Sequence, residues 1–280
     1  VPGKERYQAL GAECHRCPLA KHPSVPTQWR GQGQPALALV GEAPGRRETQ
    51  VRQPFVGISG KVLSYACQQA GVDRGRLAIL NAISCGPIPS EMDAVKRAAL
   101  AACRPRLISE LRALRPNTVM ALGALPLRAL APPDSSGVTV LRGARLDVAA
   151  DVRSETWVPE ALFATFHPAH IARGGDGEDE KGDKSVDALY YFLLFDLAKA
   201  WRFSHGEAKE WAVEADLFVD VGPKLYRVEA EGQTARLGGE TTERDLFEAL
   251  GRVYDEARAH GSLTCDVETD HKNSMQANLT

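Results

Sequence analysis

The chain has no run approaching the roughly 20 consecutive apolar residues that a membrane-spanning helix requires, so a helical membrane protein is excluded. Its N-terminus has no apolar leader segment, and nothing there reads as a secretory signal. Internal repeats are absent, which excludes solenoid and propeller architectures. The missing leader matters for the six cysteines: without an oxidising compartment a disulfide framework is the poorer reading, and metal or cluster ligation the better one. A cytoplasmic protein of a bacterial or phage-infected cell is expected. The sequence opens at Val1 rather than Met and stops at Leu279-Thr280 just after a strand-like run, so a piece of a longer polypeptide is expected.

What is present describes a globular chain of 280 residues, 44% hydrophobic and 25% charged. The net charge of −2 hides an asymmetry: residues 1–130 carry 18 Lys and Arg against 8 Asp and Glu, and residues 131–280 carry 16 against 28. A basic first half is what a phosphate-binding surface needs, and it favours nucleic acid over a chance collection of solvated side chains.

Hydrophobic periodicity predicts strands at Ala36–Gly41, Leu77–Leu80, Thr118–Leu122 and Leu162–Phe166, and helices over 58–70, 93–114 and 185–203. In the first helix Ile58, Val62 and Leu63 are the apolar positions; in the second they are Val95, Leu100, Leu107, Leu111 and Leu114. Strands alternating with helices imply a three-layer α/β/α fold with a central, mostly parallel four-stranded sheet. In such sheets the site lies beyond the carboxyl ends of the strands. Gly41–Gly45, Asn81–Pro89 and His167–His170 all fall there. Residues 174–184 form a Gly-rich acidic loop and 205–215 a linker; strand-like runs at 217–219, 225–228 and 234–237 and a helix at 242–260 follow. The expected organisation is therefore a domain over 1–205 and a truncated α+β segment over 206–280.

Cys14-x-x-Cys17 can clamp one metal centre, and Cys85 and Cys103 each stand just before a proline. Four thiolates suit either zinc or an iron–sulfur cluster. A zinc ribbon more often shows two close pairs, so one pair plus two single cysteines favours the cluster. Cys67 on a helix and Cys265 on a strand read instead as small core hydrophobes.

The run Gly41-Glu42-Ala43-Pro44-Gly45, then Glu48, then Pro54-Phe55-Val-Gly-x-Ser-Gly60, resembles the first motif of the family 4 uracil-DNA glycosylases. Asn81-x-x-x-Cys85, Cys103-x-Pro105 and Ala121-Leu-Gly123 resemble that family's middle region, and His167-Pro-Ala169 its last motif. The matched segments run in order across residues 7–203. The resemblance implies a [4Fe–4S] cluster on Cys14, Cys17, Cys85 and Cys103, uracil-containing DNA as partner, and hydrolysis of the N-glycosidic bond of a flipped-out uracil.

Each matched position has a chemical reason. Phe55 can stack on the base. Asn81 offers a donor and an acceptor suited to uracil O4 and N3–H. His167 can donate to the charge developing on O2 as the base leaves. A carboxylate beside the sugar can stabilise the oxocarbenium-like state and position water, with Glu42 the first candidate and Glu48 the second. Gly41 and Ala43 belong to the Gly41–Gly45 turn, whose backbone N–H groups can hold the base carbonyl or a phosphate. No lysine in these motifs stands ready for a Schiff base, so no lyase step is expected.

The chain departs from the family at Cys85-Gly-Pro-Ile-Pro89, where an expected arginine is missing, and in the acidic loop after His167, which repels phosphate. These departures support an alternative, a catalytically weak or inactive glycosylase-like DNA-binding module tethered to a DNA polymerase/exonuclease. Further on, Asp266-Val-Glu268 reads as a strand with both carboxylates on one face. It resembles the first motif of the 3′–5′ exonuclease domain of family A DNA polymerases, which implies a divalent metal, Mg2+ or Mn2+, and a downstream polymerase. The later carboxylates of that domain are absent, so residues 211–280 alone are expected to lack nuclease activity.

Overall fold

A computed structural model of the chain describes residues 4–87, 93–174, 186–207, 217–220, 226–230, 233–237 and 266–268. Two compact units are present, Val1–Glu207 and Ala208–Thr280. The first contains α1 (Lys4–Ala9), β1 (Leu37–Gly41), α2 (Arg46–Val51), α3 (Ile58–Gln69), β2 (Leu77–Asn81), α4 (Asp93–Leu114), β3 (Thr118–Leu122), α5 (Ala124–Leu130), α6 (Val138–Leu141), β4 (Ala161–Thr165), α7 (Pro168–Gly174) and α8 (Val186–Ser204). Among the described residues no helix is long and apolar enough to cross a membrane.

The four strands form one parallel sheet in the order β2-β1-β3-β4. All four are buried along their length, as expected of a parallel sheet covered on both faces. Alternation divides their side chains. Ala38, Val40, Ala78, Leu80, Val119, Ala121, Leu162 and Ala164 pack with Leu100, Leu107 and Leu111 of α4. Leu37, Leu39, Leu77, Ile79, Met120, Leu122 and Phe163 pack with Leu63 of α3 and Leu193 and Leu197 of α8. The chain leaves β1 in one direction to make β2 and returns past it to make β3. The switch point between β1 and β3 opens a crevice at the carboxyl ends of the strands.

Helix α4 spans the residues that periodicity predicts and tolerates Pro105 within it. Five helices of this unit were not predicted: α1, α2, α5, α6 and α7, each of seven residues or fewer and too short to show a period. Ile58 was expected on the apolar face of its helix but is 72% exposed; it is the first residue of α3, outside the turns that meet the core.

In the second unit, β5 (Leu217–Asp220), β6 (Tyr226–Ala230), β7 (Gln233–Leu237) and β8 (Asp266–Glu268) form a sheet in the order β7-β6-β5-β8. Strand β8 pairs parallel with β5, with Asp266 opposite Phe218 and Glu268 opposite Asp220. The expected acidic loop after Gly174, the helix at 242–260 and most of the linker at 205–215 lie outside the described residues, as does Cys265.

Candidate active site

Four strand ends converge with the loop that carries Phe55. Gly41 closes β1 and Asn81 closes β2, in register with each other. A Cβ added to Gly41 would stand 2.6 Å from Asn81 Oδ1 and 2.6 Å from Phe55 Cζ, so only glycine leaves room for both side chains. Gly123 follows β3 at φ +101°, and a Cβ there would lie 3.0 Å from His167 Cβ. The left-handed conformation and the close approach both call for glycine. His167 follows β4, with its ring centroid 5.8 Å from that of Phe55. Phe55, Asn81 and His167 therefore share one end of the sheet. Phe55 and Asn81 are 5% and 6% exposed, so both side chains are buried there.

The His167 ring has a defined hydrogen-bonding role. Its Nδ1 accepts the backbone N–H of Ala169 at 3.0 Å, capping the first turn of α7, where Pro168 needs no donor partner. Because Nδ1 is an acceptor, the ring proton sits on Nε2. That leaves a neutral imidazole whose Nε2–H is a donor.

Phe55 adopts φ +51°, uncommon for a bulky residue. Its carbonyl accepts from Arg74 Nη2 at 2.6 Å, and the same guanidinium reaches the Gly60 carbonyl at 3.2 Å and the Ser64 hydroxyl. Burial lowers the pKa of Arg74. Sequence reasoning missed Arg74.

The two candidate carboxylates are placed differently. Glu48 on α2 is 8% exposed, and its Oε1 accepts the amides of Val56 at 3.0 Å and Gly57 at 2.7 Å. Gly45 and Gly57 leave space for that carboxylate, since a Cβ at either would come within about 3 Å of it. Glu48 thus fastens the Phe55 loop. Glu42 is half-exposed and pairs with Lys96 of α4 at 2.9 Å. Ala43 beside it is partly buried against the core.

Cys14, Cys17, Cys85 and Cys103 line one cavity together with Tyr7, Ala12, Ile83 and Ser84. The N-terminal segment is held there by Glu13 N–H to the Ala102 carbonyl and Val25 N–H to the Ser84 carbonyl, both 2.8 Å. Two buried cations face the sulfurs: Lys4 Nζ donates to Cys85 Sγ, and Arg106 Nη2 to Cys103 Sγ at 3.4 Å. Among the described residues no three ligating side chains are gathered tightly enough for a single metal ion. Four sulfurs around one cavity, faced by two cations, suit a thiolate-ligated anionic centre. Burial raises the pKa of the Cys14 and Cys17 thiols, so ligation there displaces protons. Cys67 stands apart in the α3 core, where burial pushes its thiol up to about 12, in keeping with an inert hydrophobe. Asp266 and Glu268 are both on β8, two residues apart.

The profile of the Uracil DNA glycosylase superfamily matches residues 29–193. The type-4 uracil-DNA glycosylase of Pyrobaculum aerophilum is 31% identical over 175 residues, 60% of this chain and 84% of that protein. That of Archaeoglobus fulgidus is 34% identical over 162 residues, 56% of this chain and 77% of that protein. That of Thermotoga maritima is 26% identical over 192 residues, 68% of this chain and 89% of that protein. With the three-layer fold, these likenesses make the chain a member of the uracil DNA glycosylase superfamily, in its type-4 branch.

Proposed function

We propose that the first unit is a uracil-DNA glycosylase that hydrolyses the N-glycosidic bond of a uracil extruded from DNA. The observation that carries this reading is the convergence of Phe55, Asn81 and a His167 whose proton is held on Nε2. An extruded base enters the recess and stacks on Phe55. Asn81 reads its O4 and N3–H edge. As the bond to the sugar lengthens, negative charge gathers on the base, and His167 Nε2–H donates to O2. Glu42, just after β1, is the carboxylate that faces the sugar cation and the attacking water; its partial exposure and its surface pairing with Lys96 support that role. The Gly41–Gly45 turn, Ala43 included, lines the approach to the base.

For the cysteine site we propose a [4Fe–4S] cluster held by Cys14, Cys17, Cys85 and Cys103. When bound, it supplies a brace between the N-terminal segment, the loop after β2 and α4. The protein's own contribution is the set of thiolates and the two cations facing them.

For the second unit we propose the beginning of an exonuclease-like domain, supported by Asp266 and Glu268 on one strand, as a divalent-metal pair for Mg2+ or Mn2+ and as the link to a polymerase domain. Two carboxylates alone do not complete a two-metal site, so the 280-residue chain is expected to leave 3′ ends intact with either metal.

A single assay on iron-loaded protein separates enzyme from binding module. Free uracil and an abasic site should appear from uracil-containing DNA, without strand cleavage. Salt-dependent binding with the base left in place would instead establish the alternative, a non-catalytic glycosylase-like module.

A further inference from the structure

Arg106 was given no role by the sequence. It lies on α4 with its side chain fully buried, between the cysteine cavity and the recess. Its Nη1 donates to Glu110 Oε2 at 2.7 Å, and Glu110 is itself held by the Thr27 hydroxyl at 2.6 Å. Its Nη2 faces three acceptors: the Asn81 carbonyl at 2.8 Å, the Ala82 carbonyl at 2.9 Å and Cys103 Sγ at 3.4 Å. One nitrogen with two hydrogens is shared among them. The peptide units it grips are fastened on their other side too, since Ala82 N–H donates to the Gly41 carbonyl at 2.8 Å and Ile83 N–H to the Glu42 carbonyl at 2.9 Å. The backbone that aims the Asn81 side chain is thus clamped between β1 and one buried guanidinium.

We propose that Arg106 is a positioning residue that sets the base-reading geometry of Asn81 and ties it to the sulfur of Cys103. The proposal rests on the reading of Asn81 as the group that recognises uracil. Glu110 and Thr27 fix one arm of the fork, and the other arm divides between the end of β2 and the cysteine site. A lysine keeps the charge but not the planar fork, so it cannot hold Glu110 and both carbonyls in one geometry.

The test is a double-mutant cycle on the full chain: wild type, Arg106→Lys, Asn81→Ala and the double variant, with folding checked by circular dichroism and iron measured per chain. Two quantities are read, the single-turnover rate of uracil release and the binding preference for a uracil-containing duplex over the same duplex without uracil. Arg106→Lys should keep wild-type iron content and lower the release rate by roughly 10- to 100-fold, as expected for a displaced contact group, with the uracil preference falling in parallel. In the Asn81→Ala background the same change should have an effect within about twofold of none, because the group it positions is gone. Multiplying effects in the double variant would overturn the proposal, as would a wild-type Arg106→Lys protein. Activity lost in step with iron would also overturn it, since Arg106 would then act through the cluster rather than through Asn81. A wild type that neither releases uracil nor prefers it would overturn the functional reading itself, and this proposal with it.

Discussion

Glu42 and Glu48 lie in one short segment, yet their carboxylates have unlike tasks. Glu48 is buried and accepts two amides through a single oxygen; Glu42 is half-exposed beside Lys96. Glutamine keeps an acceptor but loses the charge. Glu48→Gln should therefore retain release within about tenfold, whereas Glu48→Ala should loosen the Phe55 loop and cost about 1.5–3 kcal/mol in urea unfolding. Glu42→Gln should keep stability and lose most of the rate, measured by single-turnover release. Gly41→Ala should abolish release, because its methyl group would occupy space held by the Phe55 ring and Asn81 Oδ1. At this scale the meeting of Asn81 and His167 at one end of the sheet was legible, because Asn81 ends a strand and His167 follows one; Phe55, in the loop between α2 and α3, was singled out only by the motif the chain resembles. The sequence ranked Glu42 before Glu48 but did not show the structural task of Glu48, since burial and amide partners are properties of the folded loop. Arg106 and Arg74 were illegible for a related reason: a charged residue in a helix or turn reads as solvated. The one available signal for Arg106 was its i, i+4 spacing to Glu110 alongside Leu107 and Leu111.

Among the elements, long ones with strong periods were readable and short polar ones were not. Helix α4 and all four strands of the first sheet follow from apolar spacing, while α2 and α7 are fixed by the contacts of Glu48 and His167. Strand β4 has a buried support of its own. Thr165 donates to Asp196 Oδ2 at 2.6 Å, and Arg142 grips the same carboxylate at 2.9 and 3.1 Å while its guanidinium lies 3.9 Å over Phe192. This group anchors α8 to the strand that delivers His167. Asp196→Asn strands a buried guanidinium, and a loss of about 3–5 kcal/mol is expected from denaturant unfolding. The Arg74 clamp works on the Phe55 loop. Arg74→Met should release the left-handed Phe55 backbone, whose strain is on the order of 1–3 kcal/mol, and weaken uracil release more than stability.

For the whole molecule, the parallel sheet and the gathering of the matched segments at its carboxyl edge were legible, because they depend on composition and strand order rather than on side-chain partners. The basic first half implies that DNA binding is driven by phosphates. Affinity for an undamaged duplex should fall by roughly tenfold or more between about 50 and 200 mM salt, measured by fluorescence anisotropy; a flat response would place the contacts elsewhere. The account stands on one recess in which Phe55, Asn81 and His167 act on the same base. Its most direct test is single-turnover uracil release by iron-loaded wild type, Asn81→Ala and His167→Ala side by side. Wild type should release the base, and each variant should be slower by roughly 10²- to 10³-fold, the size of effect seen when a donor to a developing anion is removed. Equal rates in all three proteins would contradict it.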